Sequence, residues 1–192
     1  MSASFPIGRA VLEPMLRKFS SNVDGFNVTF NALAPIYGVP ATMAIDFTPS
    51  DNKSMNFALA NVDAPDWIAS GAYKFPLFTM FVEKARNMNN RKFMMFSGEV
   101  TAGINIWLNW DSPRLKLTDF EPLSGCVEET VVSIMNRARE GFDDQFWNDD
   151  DADVVYNGDI DWTRSPVKRG DSFWAQVIQF RMMFDVDQGG PR

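Results

Sequence analysis

The sequence predicts an α+β fold in which one antiparallel sheet carries helices packed on one face, with an irregular N-terminal arm or insertion. Three observations predict it. In Gly98–Trp110 the apolar side chains Val100, Ala102, Ile104, Ile106, Leu108 and Trp110 fall on every second position, while Glu99, Thr101, Asn105 and Asn109 fill most of the others. That period of two marks a half-buried strand. The run Leu123, Cys126, Val127, Thr130, Val131, Ile134, Met135, Ala138 repeats every three or four residues, the mark of a helix with one buried face. Trp174–Val186 alternates again, placing Trp174, Ile178, Phe180, Met182, Phe184 and Val186 on one face with only Gln176 intruding. Oily strand faces and an oily helix stripe must cover one another.

A first helix follows Ser4 or Gly8, with Ile7, Val11, Met15 and Phe19 (or Leu12 and Leu16) as its stripe. Arg17 and Lys18 sit in its last turn, where cations suit the helix dipole, and Pro14 predicts a kink or a later start. Between Ser20 and Lys74 no period is sustained. Phe26, Val28 and Phe30 alternate, as do Ala41, Met43, Ile45 and Phe47, which predicts two short strands. Asp63–Ile68 resembles a helix start with Pro65 in its first turn. We read residues 20–74 as an arm or insertion packing on a neighbour, with an ordinary irregular flank of the domain as the equal alternative.

Phe75–Val82 is short, continuously apolar and opened by Pro76, which predicts a strand covered on both faces. Glu83–Lys92 then holds Lys84, Arg86, Arg91 and Lys92 among asparagines, a hairpin loop able to meet phosphate or an acidic partner. Phe93–Phe96 leads into the central strand. Thr118 or Asp119 is the N-cap expected for the second helix, with Ser124 as a later candidate, and Gly141 is its stop. Glu128 and Glu129 near its front and Arg137 and Arg139 near its back match the dipole. Asp143–Asp153 reads as an acidic loop, Val154–Tyr156 as a short strand, and Asn157-Gly158 as a turn. After the closing strand, Asp187–Gly190 forms a tail. The whole is one domain, 1–192, with its core in 75–187.

Composition narrows the chemistry. Its 192 residues are 45% hydrophobic and 22% charged, ordinary for a globular domain large enough to bury a core. No apolar run approaches the roughly 20 residues of a membrane span, and no signal peptide is legible, so a soluble chain is expected. Phe, at 17 residues, with 11 Met and 6 Trp, suits both a core and broad protein contact surfaces. The single cysteine, Cys126, lies on the helix stripe and reads as a buried thiol in a reducing compartment. The chain has no histidine, which removes the commonest general base, the usual metal ligand and every Ser-His or Cys-His nucleophile. An enzyme is therefore not expected. The net charge of −7 is local: nine acids and no Lys or Arg lie between Glu140 and Thr163, leaving the rest of the chain at +2. A basic stripe for gripping nucleic acid is missing. Gly-rich phosphate loops are absent as well, so no cofactor is expected. Asp149, Asp151 and Asp153 alternate like calcium ligands, yet an EF-hand would need Gly at Val154 and Glu at Ile160. No metal site is expected. The acids Asp143, Asp144, Asp149, Asp150, Asp151 and Asp153 read instead as a solvated or pore-facing loop.

From Phe75 onward, two-thirds of the chain resembles the tail terminator and related tail-completion (neck) proteins of long-tailed bacteriophages. The resemblance lies in element order: Phe75–Val82, Gly98–Trp110, a helix from about Asp119 to Arg139, an acidic loop, and the closing strand Ser172–Phe180. Residues 20–74 depart from that family's compact form. The resemblance implies a structural virion protein: a homohexameric ring that caps the tail tube, stops its polymerisation and docks to the head-side connector. It implies an acidic loop lining a lumen through which DNA passes without specific binding, in the viral tail after assembly in the host cytoplasm. A tail tube subunit or head–tail connector is the nearer alternative, and a carboxylate-dependent hydrolase using acids near Asp143 to Asp161 the distant one.

Overall fold

A computed structural model of the chain describes residues 6–49, 56–59, 75–88, 96–109, 117–140, 153–169 and 172–187. Among them are three α-helices, α1 (Pro6–Phe19), α2 (Phe26–Tyr37) and α3 (Glu121–Glu140), and five strands. The strands are β1 (Phe57–Leu59), β2 (Leu77–Asn87), β3 (Ser97–Leu108), β4 (Asp153–Arg169) and β5 (Ser172–Asp187). They form one sheet in the order β1-β2-β3-β5-β4. The fold is α+β, as the periodicities predict. The sheet is mixed rather than purely antiparallel: β2, β3, β5 and β4 run antiparallel in turn, and β1 pairs parallel to β2 over Phe57–Leu59.

Strand alternation divides the sheet into two faces. Phe78 and Met80 of β2, Val100 to Leu108 on even positions of β3, and Ile178 to Val186 on even positions of β5 point to the helices and are buried. Helices α1 and α3 lie on this face and α2 packs against α3. The α3 stripe is buried from Leu123 to Met135, as its period requires. Gln176, the polar intruder on β5, is 5% exposed and accepts a hydrogen bond from the Ser124 hydroxyl of α3 at 3.0 Å. A buried amide needs such a partner. Helix α1 runs through Pro14 without stopping, and Val11, Met15 and Phe19 are its buried stripe.

Residues 20–49 differ most from expectation. Phe26, Val28 and Phe30 belong to helix α2, not a strand, because Phe26, Phe30 and Leu33 together make a helical stripe against the core. Phe26 stacks on Phe30 with centroids 5.7 Å apart and meets Phe78 of β2 edge-on at 4.9 Å. Ala41–Met43 is a 3₁₀ turn. Met43, Ile45 and Phe47 then alternate in burial like a strand but pair with none. Their backbone is held by side chains instead. Asn27 accepts from Phe47 N–H at 2.6 Å and donates to its carbonyl at 3.1 Å. Asn56 accepts from Thr48 N–H at 2.9 Å and donates to Asp46 carbonyl at 2.6 Å. Phe26, Phe30, Met43, Ile45, Phe47 and Phe57 all join the main core cluster. The described parts of 20–74 thus contribute to the core of this domain. The expected helix start at Asp63–Ile68 lies outside the described residues.

Two further strands are longer than predicted. β2 continues across a bulge between Val82 and Lys84 and pairs to Asn87. β4 spans 17 residues, and Asn157-Gly158 is a bulge inside it rather than a turn, with Gly158 at a φ of 90° that suits glycine. Residues 89–95, the expected stop at Gly141 and Trp110 lie outside the described residues.

Candidate assembly surface

The face of the sheet turned away from the helices is ordered in rows by the strand register. Arg86, Glu99, Asp185 and Val155 form one row across β2, β3, β5 and β4. Lys84, Thr101 and Met183 form the next, level with the β4 bulge. Phe81, Gly103, Arg181 and Asp161 follow, then Thr79, Asn105, Gln179 and Thr163. Leu77, Trp107 and Val177, with Phe75 and Val167 beside them, close this face with a second, small apolar cluster.

Arg181 is the centre of this face. It pairs with Glu83 at 2.7 Å, donates to the Asn105 side chain at 3.1 Å, and stands over the Phe81 ring at 4.9 Å. Phe81 in turn lies on Gly103, where a Cβ would come within 2.5 Å of the ring. The glycine makes room for the ring, and the ring supplies the cover that glycine lacks. Sequence period alone did not single out this group, because Glu83 reads as loop and Gly103 as a gap in the strand. The bulge that swings Glu83 onto Arg181 has no signature in composition.

On the helix side, Arg164 of β4 is gripped by Glu128 of α3 (Nη2 to Oε2 2.7 Å) and by Glu121. These hydrogen bonds, Glu128 first, push its pKa above the ordinary guanidinium value, so it stays cationic. The pair fixes α3 over the edge strand. Cys126 is buried, and that burial pushes its thiol up to about 11. It is a packing residue.

The sequence-predicted sites fall as follows. Lys84 and Arg86 are not in a hairpin loop: they stand on the outer half of β2, exposed, because the ladder to β3 continues past the bulge. Arg91 and Lys92 lie outside the described residues, as do Asp143, Asp144, Asp149, Asp150 and Asp151. Asp153 is the first residue of β4, paired in register with Asp187. Asp159 and Asp161, grouped by sequence with the acidic loop, are strand residues and exposed. Among the described residues no three His, Cys, Asp or Glu side chains come together as a metal site. No helix among them is long and apolar enough to cross a membrane.

Two more surfaces are open. No Asp, Glu, Lys or Arg occurs between Asp24 and Asp46. Helix α2 therefore has an outward side of Val28, Ala32, Pro35 and Ile36, spaced as a second stripe, with Ile36 77% and Val28 42% exposed. The edge strand β4 likewise exposes Val155 and Trp162. The sequence matches no protein-family model and no curated protein.

Proposed function

We propose that this chain is a structural virion protein of a tailed bacteriophage, a tail-terminator-like subunit that performs no chemistry and closes into a ring. Six copies cap the tail tube and join it to the head-side connector. The observation that carries the reading is the distribution of open surface. Among the described residues the helices lie on one face of the sheet, α2 carries an exposed apolar stripe beside its buried one, and both sheet edges are exposed in part. An exposed apolar stripe is suited to burial in a contact, and unlike surfaces on one subunit favour head-to-tail closure. The resemblance to tail-completion proteins rests on the order strand, strand, helix, acidic loop, closing strand, and β2, β3, α3 and β5 follow that order, with β4 as a further strand before the last.

On this reading the acidic run Asp143, Asp144, Asp149–Asp151 and Asp153 faces the lumen or the connector. Negative side chains there repel DNA phosphates and keep the passage from binding its cargo. Native mass spectrometry with negative-stain imaging of the purified chain tests the proposal. A discrete ring of about six subunits is the expected result. Long tubes would move the assignment to a tail tube subunit, and a chain that stays monomeric both alone and with tube and connector proteins would remove it.

A further inference from the structure

The two edges of the sheet differ in charge at the same level. β1 pairs with β2 only at Phe78–Met80, so β2 runs on from Phe81 with no described strand on its outer side, and Glu83–Asn87 are exposed. Glu83 is engaged by Arg181, which leaves Lys84 and Arg86 as the charges of that edge. At the opposite edge β4 exposes Asp159 and Asp161. Following the register across β3 and β5, Arg86 stands level with Val155 and Lys84 with the bulge that holds Asp159, while Asp161 lies one row further, level with Phe81. Lys84, Arg86 and Asp161 also share the helix-free face. None of Lys84, Arg86, Asp159 and Asp161 forms an ion pair with a described residue.

We infer that a second copy of this chain occupies each edge: the Lys84/Arg86 edge of one subunit docks against the Asp159/Asp161 edge of the next. This inference rests on the ring reading and names its subunit contact. Strand direction agrees with it. With β2, β3, β5 and β4 alternating, β4 of one copy lies antiparallel to β2 of its neighbour, so Lys84 faces the Asp159 bulge directly and Asp161 on the diagonal, within reach of a long side chain. The other half of β4 carries Pro166, which cannot donate to a ladder and is level with Pro76, just before β2 begins. Both open stretches contain a bulge, so side-chain charge rather than a long hydrogen-bonded ladder selects the partner. Because the two edges are unlike, the contact is heterologous and propagates until rotation closes it.

The test is a charge swap in the full chain. One variant carries Lys84→Glu and Arg86→Glu, the other Asp159→Lys and Asp161→Lys; all four positions are exposed, and circular dichroism checks that each variant folds. Each alone should lose the oligomer, its dissociation constant rising at least about tenfold, since like charges then face one another. Mixed in equal amounts, the two should reassemble, because every contact in an alternating ring is again opposite in charge. If the wild-type chain forms a ring and each folded variant keeps it, this contact is wrong while the ring reading stands. If the variants dissociate but the mixture does not reassemble, the pairing of these two edges is wrong. A wild-type chain that never self-associates overturns both.

Discussion

At the scale of single residues, two asparagines replace a missing strand. Residues 44–48 bury Ile45 and Phe47 in the aromatic cluster, where Phe47 meets Phe78 at 4.9 Å and Phe57 at 5.6 Å. Such a segment must still satisfy its backbone N–H and C=O groups. Asn27 and Asn56 do so with one amide each, every amide serving as both acceptor and donor. Replacing Asn27 or Asn56 with Ala would leave a backbone donor and a backbone acceptor unpaired beside the core. We expect each substitution to cost about 1–3 kcal/mol, read as a lower urea midpoint at unchanged slope. A loss within about 0.5 kcal/mol for both, the usual range for surface changes, would mean that water replaces the amides and that the segment is held by its side chains alone. The alternation of Met43, Ile45 and Phe47 was legible in the sequence as burial. What it could not reveal is who satisfies the backbone, because an amide at position 27 or 56 looks like any loop asparagine.

At the scale of elements, legibility followed the length of the period. The α3 stripe and the β3 and β5 alternations each run over ten or more residues, and burial follows them along α3 and residues 97–102 and 178–187, while residues 102–108 and 175–178 are buried on both faces. Helix α2 was missed because Phe26, Val28 and Phe30 satisfy a period of two and, with Leu33, a helical one as well, so a short window cannot separate them. Its entry is then fixed from another element: Arg137 of α3 donates to the Asp24 carbonyl at 3.0 Å and to the Thr29 hydroxyl at 2.6 Å. The Asp24 carboxylate accepts from the Ser21 hydroxyl at 2.6 Å and pairs with Lys18 at 3.6 Å, tying the end of α1 to the start of α2. That hydrogen bond from Ser21, aided by Lys18 and Arg137 and opposed by partial burial, lowers the Asp24 pKa below its ordinary 3.8. A carboxylate depressed on folding adds stability that is present above its unfolded pKa and is lost as the pH falls through the folded one. Asp24→Asn should therefore flatten the loss of stability below about pH 4. Urea midpoints measured between pH 6 and pH 3 check this, and parallel wild-type and variant curves would show that Asp24 does not link the two helices.

At the scale of the whole molecule, folding and assembly draw on different interactions, and salt should separate them. The fold rests on an apolar core running from Phe19 and Phe26 through Phe78 to Phe180 and Phe184, all at most 1% exposed. Among the described residues its ion pairs are few, and the tightest, Arg164 with Glu128 and Glu121, is partly sheltered between β4 and α3. Apolar burial is insensitive to simple salt at moderate concentration, and sheltered pairs are screened less than open ones. The proposed edge contact is the reverse case, with Lys84, Arg86, Asp159 and Asp161 all exposed, within reach of counterions whose Debye length shrinks from about 10 Å at 0.1 M to about 3 Å at 1 M. Raising sodium chloride across that range should weaken the subunit contact while the urea midpoint of the dissociated chain stays nearly constant. Sedimentation at several protein concentrations reads the first quantity, and denaturation well below the dissociation constant reads the second. A ring that tightens with salt would point to the outer stripe of α2, Val28, Ala32 and Ile36, as the dominant contact, and the charged edges would then serve only to set its direction.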